Sequence, residues 1–164
     1  MGKGKRMRIG VLSDSHGSLR RAEQAVSLMG KIDLLLHAGD FYRDGLHLGK
    51  HFKVEVKAVV GNCDRGVQGP VEEILEIAGH RILLTHGHLY GVKFGLMRLY
   101  YRALEVEAGI VVFGHTHVPM AEEVEGVYFL NPGSVAYPRV KGKYTCAVLE
   151  IAGPDYNASI ISLD

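Results

Sequence analysis

Five apolar runs, each ending abruptly in polar residues, constrain the fold of this chain more than any other feature. They occupy residues 9–12, 34–36, 56–60, 82–85 and 110–113. Apolar runs of this length indicate buried strands. Through the first two-thirds of the chain, segments with helical spacing of apolar residues separate these runs, whereas the last third reads almost entirely as short strands. The sequence therefore predicts an α/β (α+β) protein.

The residues that follow these runs share one property, which is the ability to ligate a metal ion. They are Asp14, His16, Asp40, Asn62, His86, His88, His115 and His117. In α/β folds, ligands bind outside the carboxyl ends of the strands, so we expect these side chains to gather in one crevice. Mixed oxygen and nitrogen donors suit manganese, iron, zinc or nickel. The donors outnumber the ligands of one tetrahedral ion, which favours two ions sharing a carboxylate, ~3.5–4 Å apart.

The remaining pattern predicts how these strands are packed. Apolar spacing predicts helices over 18–29, 44–52 and 92–107, and alternation predicts further strands over 71–77, 122–130, 134–138, 143–151 and 156–162. We expect a four-layer α-β-β-α sandwich of two mixed sheets with outer helices, in which the carboxy-terminal strands form much of the second sheet. One domain over 1–164 is predicted, with residues 1–7 flexible.

Composition limits the classes of partner. The net charge of +1 over 164 residues gives no general affinity for nucleic acid or membranes. The two cysteines form no disulfide framework, and neither a signal peptide nor a membrane span is recognisable, so we expect a cytoplasmic protein. A homodimer or higher homo-oligomer is possible, with Tyr100 and Tyr101 as candidate contacts.

The order of the motifs resembles the calcineurin-like metallophosphoesterases, and more closely the small bacterial and archaeal phosphodiesterases of that superfamily. The resemblance covers residues 8 to about 138, including the loop Asn131-Pro132-Gly133-Ser134. It implies hydrolysis of a small phosphodiester by a water or hydroxide shared by two divalent ions, manganese first, with nickel, zinc, iron or magnesium as alternatives. It also implies a ligand set: Asp14, His16 and His117 for the first ion, Asn62, His86 and His115 for the second, and Asp40 for both.

Cys63 departs from the pattern of the larger family. Many members have a histidine there, thought to protonate the leaving group, and a thiol of ordinary pKa is a poor substitute. Loss of this acid would slow the hydrolysis of esters with basic alkoxide leaving groups most. Cys63 is otherwise a small buried residue. His88 could supply the proton or support a ligand, and Asp64 could orient a ligating imidazole or cap its loop. Asn62, Asp64 and His88 are the candidate catalytic residues.

Three other interpretations remain open at this stage. A protein-binding scaffold resembling the retromer subunit would be expected to have an altered metal site, whereas no ligand position is substituted here. A phosphomonoesterase stays possible, and a nuclease would need a basic groove that this chain does not show. His37 is interpreted as a hydrogen-bonded core histidine, and His47 and His51 as surface histidines.

Overall fold

The computed structural model describes residues 6–163, which form ten strands and three helices. The helices are α1 (Leu19–Met29), α2 (Tyr42–Phe52) and α3 (Met97–Glu105), with a single 3-10 turn at His88–Tyr90. The strands are β1 (Arg6–Leu12), β2 (Leu34–His37), β3 (Val56–Ala58), β4 (Glu72–Ile77), β5 (His80–Thr85), β6 (Ile110–Val112), β7 (Met120–Val124), β8 (Val127–Asn131), β9 (Thr145–Ala152) and β10 (Asp155–Ser162).

The strands form two five-stranded mixed sheets. The first has the order β10-β9-β1-β2-β3, with β1, β2 and β3 parallel. The second has the order β4-β5-β6-β8-β7, with β5, β6 and β8 parallel. The remaining pairings are antiparallel. The predicted α/β architecture of two mixed sheets with outer helices is confirmed.

Three apolar clusters hold the four layers together. The cluster between the sheets includes Ile9, Val11, Leu36, Ile82, Ile110 and Val112. A second joins the first sheet to α1 and α2 through Leu12, Leu35, Ala22, Val26 and Leu48. A third joins the second sheet to α3 through Leu83, Val111, Leu99 and Ala103. Because successive strand residues face opposite sides, a strand that is buried on both faces needs an uninterrupted apolar run.

The placement of the last two strands was predicted wrongly. Strands β7 and β8 do join the second sheet, but β9 and β10 extend the first. Strand β9 pairs antiparallel with β1, from Arg6↔Ala152 to Val11↔Ala147. Alternation of apolar and polar residues shows that one face of a strand is buried, but it does not identify the sheet edge with which the strand pairs.

Three predicted segments also need correction, one in its type and two in their boundaries. Residues 134–138 are not a strand, because the Ser134 hydroxyl accepts the N–H groups of Ala136 and Tyr137 and closes a turn. Helix α3 begins at Met97 rather than at residue 92, after glycines with positive φ at 91 and 95. Arg6 and the residue after it belong to β1 rather than to a flexible segment, and residues 1–5 lie outside the described range.

Within residues 6–163, none of the helices combines the length and apolar character needed to cross a membrane.

Candidate metal centre

The carboxyl ends of the parallel strands meet in one crevice between the sheets. The Asp14 N–H donates to the Gly39 carbonyl at 2.9 Å, which joins the ends of β1 and β2. The Gly114 N–H donates to the His86 carbonyl at 3.1 Å, which joins the ends of β5 and β6. Across the two sheets, the His115 N–H donates to Asp14 Oδ2 at 3.0 Å.

Six of the seven predicted ligands form two groups whose donor atoms lie within 4.8 Å of one another. The first group is Asp14, His16, Asp40 and His117, and the second is Asp40, His86 and His115. Asp40 belongs to both, with Oδ2 3.5 Å from His16 Nε2 and 3.4 Å from His86 Nε2. The seventh, Asn62, lies beside the second group, with Oδ1 3.0 Å from His86 Nε2.

Several polar atoms of this crevice have no hydrogen-bond partner in the part of the chain that the structure describes. They are Asp14 Oδ1, His16 Nε2 and His88 Nδ1, all buried. A buried polar atom left unsatisfied costs about 1–3 kcal/mol. A divalent cation would satisfy the first two, because carboxylate oxygen and imidazole nitrogen are its usual donors. The residues present therefore fit metal ions.

The pKa shifts favour cation binding at the two carboxylates and at His115, whereas at His86 and His117 burial is outweighed by the neighbouring carboxylates and the pKa values are raised, so a bound cation would displace a proton from these rings. Burial opposes ionisation of Asp40, but the hydrogen bond and charge of His86, followed by the Cys63 N–H, outweigh it and hold the pKa of Asp40 well below its ordinary value. For Asp14, contacts with His117 and His86 outweigh burial, and its pKa is also lowered. Burial, then the His86 charge, lower the pKa of His115 to about 4. Ionised carboxylates and neutral imidazoles are the forms that ligate metals.

Backbone carbonyls orient two of the imidazoles. His86 Nδ1 lies 2.7 Å from the Ala38 carbonyl, and His117 Nδ1 lies 2.5 Å from the Tyr137 carbonyl. Because a carbonyl only accepts hydrogen bonds, Nδ1 carries the proton in both rings. Nε2 is therefore the nitrogen turned toward a carboxylate, 3.4 Å from Asp40 Oδ2 in His86 and 3.1 Å from Asp14 Oδ1 in His117.

The backbone of the crevice is held in a conformation that residues other than glycine rarely adopt. Five predicted ligands have positive φ between 45° and 69°: Asp14, His16, Asp40, His115 and His117. Each such residue costs roughly 1–3 kcal/mol and persists only where the surrounding structure enforces it. Strain of this kind clusters at functional sites, and the sequence pattern gave no indication of it.

Glycines make room for the ligands. A Cβ at Gly39 would come within 2.8 Å of the His86 Cβ, a Cβ at Gly61 would overlap Asp40, and a Cβ at Gly114 would lie 2.7 Å from Asp14 Oδ2. Contacts below 3.0 Å require the neighbour to move. The glycine directly before Asp40, Asn62 and His115 is the sequence signal for this close packing.

A buried hydrogen-bond chain supports the first two strand ends, and sequence reasoning found only one of its members. The Gly39 N–H donates to His37 Nδ1, so the opposite nitrogen donates to the Ser15 hydroxyl at 2.9 Å. That hydroxyl donates to Asp44 Oδ2 at 2.6 Å, which also accepts the Gly17 N–H. The interpretation of His37 as a hydrogen-bonded core histidine is confirmed.

The loop 131–134 supports the other side of the crevice. Asn131 Nδ2 donates to the Gly114 carbonyl at 3.1 Å and to Thr116 Oγ1 at 3.0 Å. The Ser134 hydroxyl donates to the Asp14 carbonyl at 2.8 Å. Both side chains are fully buried. The loop therefore ties the end of β1 to the end of β6.

The contacts of Asp64 match the loop-capping alternative rather than the catalytic one. Its carboxylate accepts the N–H groups of Phe41 and Tyr42 at 2.9 and 2.8 Å and that of Gly61 at 2.7 Å. These bonds fix the loop after β3 against the start of α2. Cys63 is exposed, which corrects the expectation of a small buried residue, and its N–H donates to Asp40 Oδ1.

His88 lies at the crevice, as the sequence predicts. Its ring centroid is 5.3 Å from that of His86 and 6.1 Å from that of His115. Burial, and then the neighbouring His86, lower the pKa of His88. The imidazole is therefore neutral at pH 7, a form that accepts a proton more readily than it donates one.

Comparison with known proteins defines the class of this fold and site. Residues 7–153 match the family described as the calcineurin-like phosphoesterase superfamily domain. The chain belongs to the calcineurin-like phosphoesterase superfamily. That membership implies divalent metal ions, and the two donor groups offer candidate ligands for them.

Two relatives and two solved structures illustrate the similarity. The chain is 37% identical over 148 residues to the probable metallophosphoesterase YsnB of Bacillus subtilis, covering 88% of this chain and 85% of the relative. It is 31% identical over 158 residues to the phosphodiesterase YfcE of Escherichia coli, covering 81% and 82%. A predicted phosphoesterase from Streptococcus pneumoniae superposes with a TM-score of 0.83 at 33% identity, covering 98% and 91%. Vacuolar Protein Sorting 29 from Cryptosporidium parvum superposes with a TM-score of 0.75 at 19% identity, covering 95% and 97%, which shows the fold alone.

Proposed function

We propose that this chain is a metal-dependent phosphodiesterase acting on a small phosphodiester. One observation carries the proposal: two donor groups share Asp40 in a crevice where Asp14 and His16 each keep a buried polar atom that no described residue satisfies with a hydrogen bond. A relative called a phosphodiesterase, 31% identical, supports the choice of a diester.

The proposed ligand sets follow the two groups. Asp14, His16 and His117 hold one ion, Asn62, His86 and His115 hold the other, and Asp40 bridges them, with manganese as the first ion to test. Two bound cations would acidify a water and neutralise charge on the phosphoryl oxygens. Asn62 offers a neutral amide oxygen, which limits the negative charge that an anionic substrate meets.

The residues around Asn62 provide only weak acids for the leaving group. Partial desolvation, and then the Asp40 charge, raise the pKa of the Cys63 thiol, which makes it a poor proton donor. The neighbouring His88 is neutral at pH 7 because its pKa is lowered. We therefore assign it to accepting a hydrogen bond from the substrate or to positioning the substrate. We therefore expect a preference for aryl or similarly activated leaving groups, which need little protonation.

Hydrolysis of bis-p-nitrophenyl phosphate beside p-nitrophenyl phosphate tests the proposal directly. Metal-stripped protein would receive manganese, nickel, zinc or magnesium, and the two rates would be compared for each ion. We expect turnover that requires added metal, with the diester faster. A faster monoester would reassign the chain to the phosphomonoesterases, and metal-independent turnover would refute the proposed centre.

A protein-binding scaffold is the second candidate. An exposed apolar surface favours it, since Phe94, Met97 and Tyr101 are 97%, 68% and 59% exposed on and before α3. The complete set of donor residues favours the enzyme, because a scaffold needs no metal chemistry. A chain that binds no divalent ion at micromolar concentration in equilibrium dialysis would support the scaffold.

A further inference from the structure

Two adjoining cavities lead away from the candidate metal centre on the α3 side. The first, about 370 Å³, is lined by His115, His117 and Tyr137. The second, about 360 Å³, has apolar walls that include Val92, Leu96, Phe113 and Met120. Lys93 and Arg139 line both cavities, so the two lie side by side. We call the second cavity, with its two cations, the cationic groove.

Neither cation of the groove is neutralised by a carboxylate. Within residues 6–163, ion pairs involve Arg8, Arg81 and Arg102, whereas Lys93 and Arg139 have none. Lys93 lines the same cavity as His115, so its charge lies beside the candidate centre. Unpaired cations over apolar walls create a field that attracts an anion.

The walls and the charges suit different parts of one ligand. A cavity of several hundred Å³ with mostly apolar walls and a few polar groups is the usual form of a small-molecule site. The apolar walls would pack against a ring or a short hydrocarbon, and the cations at the boundary with the first cavity would meet negative charge. The phosphoryl group itself belongs at the donor groups described above, so this charge is an additional one.

We propose that the cationic groove binds one ester arm of the substrate, and that this arm is an apolar or aromatic body carrying a second anionic group held by Lys93 and Arg139. The inference rests on the proposed phosphodiesterase function and names its substrate class. The competing explanation is that the two cations hold the scissile phosphate, in which case the charge of the arm would make no difference.

A matched pair of substrates separates these explanations. The first is 4-carboxyphenyl 4-nitrophenyl phosphate, and the second is its 4-carbamoylphenyl analogue, which has nearly the same shape without the second charge. Both release p-nitrophenolate, so one absorbance assay serves both. The measured quantity is the ratio of their kcat/KM values in the metal-loaded wild type, in Lys93→Gln, in Arg139→Gln and in the double variant.

Matched control variants test the location of the effect. Arg6→Gln and Lys57→Gln remove the same two charge types from other cavities, which are lined by Met7 and lie away from the donor groups. We expect the wild type to prefer the carboxylated arm about five- to tenfold, mainly through KM. Each groove variant should lower the ratio about two- to fivefold, the range of an exposed ion pair. The double variant should bring it close to one, and the controls should leave it unchanged.

The outcomes distinguish this inference from the proposed function. A wild-type ratio of one, or an equal loss for both substrates in the groove variants, would overturn the groove assignment while the phosphodiesterase stands. Calorimetric binding of a non-hydrolysable phosphonate pair with the same two arms provides a readout without turnover. Charge-dependent binding without turnover of any diester would support the groove and refute the enzyme, and absence of both would refute both.

Discussion

Two clusters of carboxylate and imidazole groups in this protein have similar donors but very different surroundings. On the surface, Glu23 of α1 lies 2.9 Å from His47 of α2, and the His47 and His51 rings stack 5.9 Å apart. The Glu23 and His47 side chains are 35% and 43% exposed, and they project from regular helices. In the crevice, the Asp14 and Asp40 side chains are 0% and 3% exposed, and the backbone has positive φ.

The difference shows that proximity of donors is a weaker sign of function than the structure that holds them. The surface histidines match the sequence interpretation. An ion pair at the surface contributes little to the stability of the protein, because water screens the charges. The crevice, in contrast, leaves buried polar atoms without a hydrogen bond from residues 6–163 and keeps non-glycine residues in a strained conformation. A protein accepts such costs where a ligand or a reaction uses them.

Substitution of the shared carboxylate should give the largest difference in activity between a variant of the crevice and a variant of the surface cluster. Asp40→Asn preserves the shape of the residue but removes the charge that both groups share. We expect kcat/KM for bis-p-nitrophenyl phosphate to fall by roughly 1000-fold or more, since changes to groups that merely support ligands already cost about 10–100-fold. The matched surface variant Glu23→Gln should retain wild-type activity. Full activity in Asp40→Asn would contradict the proposed centre.

Gly61→Ala tests the close packing of the crevice by adding one methyl group. Its Cβ would overlap Asp40 and come within 2.9 Å of the His86 ring, so both ligands must shift. Displacement of reacting groups by about 1 Å can cost about 100-fold in rate, and we expect a loss of that order.

Gly109→Ala is the control for that substitution, because nothing lies within 4 Å of its Cβ. It should leave diester hydrolysis unchanged. Equal activities of the two alanine variants would show that the glycine before Asn62 is not needed to accommodate the ligands.

Asp44→Asn probes the buried chain beneath the crevice. Asp44 accepts hydrogen bonds from Ser15 and from the Gly17 N–H, and the chain continues to His37. We expect metal affinity or kcat/KM to fall about 10–100-fold, the usual effect of losing a group that supports ligands. Excess metal should restore part of the rate if the loss is in affinity.

The control here is Asp33→Asn, whose carboxylate accepts the Arg8 N–H at the opposite end of β1. A similar loss in both variants would indicate general destabilisation rather than a role at the crevice.

Metal addition to the surface double variant His47→Gln/His51→Gln should show the smallest effect. Ligand at 100 times its Kd stabilises a native protein by about 2.7 kcal/mol. We expect manganese to raise the thermal unfolding midpoint of the wild type and of this variant by the same amount. The shift should disappear in Asp40→Asn. A smaller shift in the surface variant would show that Glu23, His47 and His51 also bind the ion.

The sequence predicted the site more completely than it predicted the chain's topology. Each of the five apolar runs contributes a strand whose end carries candidate donors, because burial of a strand and the position of its end are local properties. The pairing of β9 with β1 could not be predicted, since an alternating strand fits any open sheet edge. The turn at Ser134 was missed because the local bonds that close it form only when its hydroxyl is fixed, and that hydroxyl also donates to the Asp14 carbonyl, which is distant in sequence.

By itself, the sequence determined the class of fold, the candidate donors and their order. The apolar runs locate the strand ends, and the identity of each residue there fixes which donor atom it carries. Only the tertiary structure decided that Asp64 caps a loop rather than orienting a ligating imidazole. It also decided that Lys93 and Arg139, which are far apart in the chain, line one groove. These distinctions depend on burial and on which backbone groups face each side chain, and both are set by contacts between segments far apart in the chain.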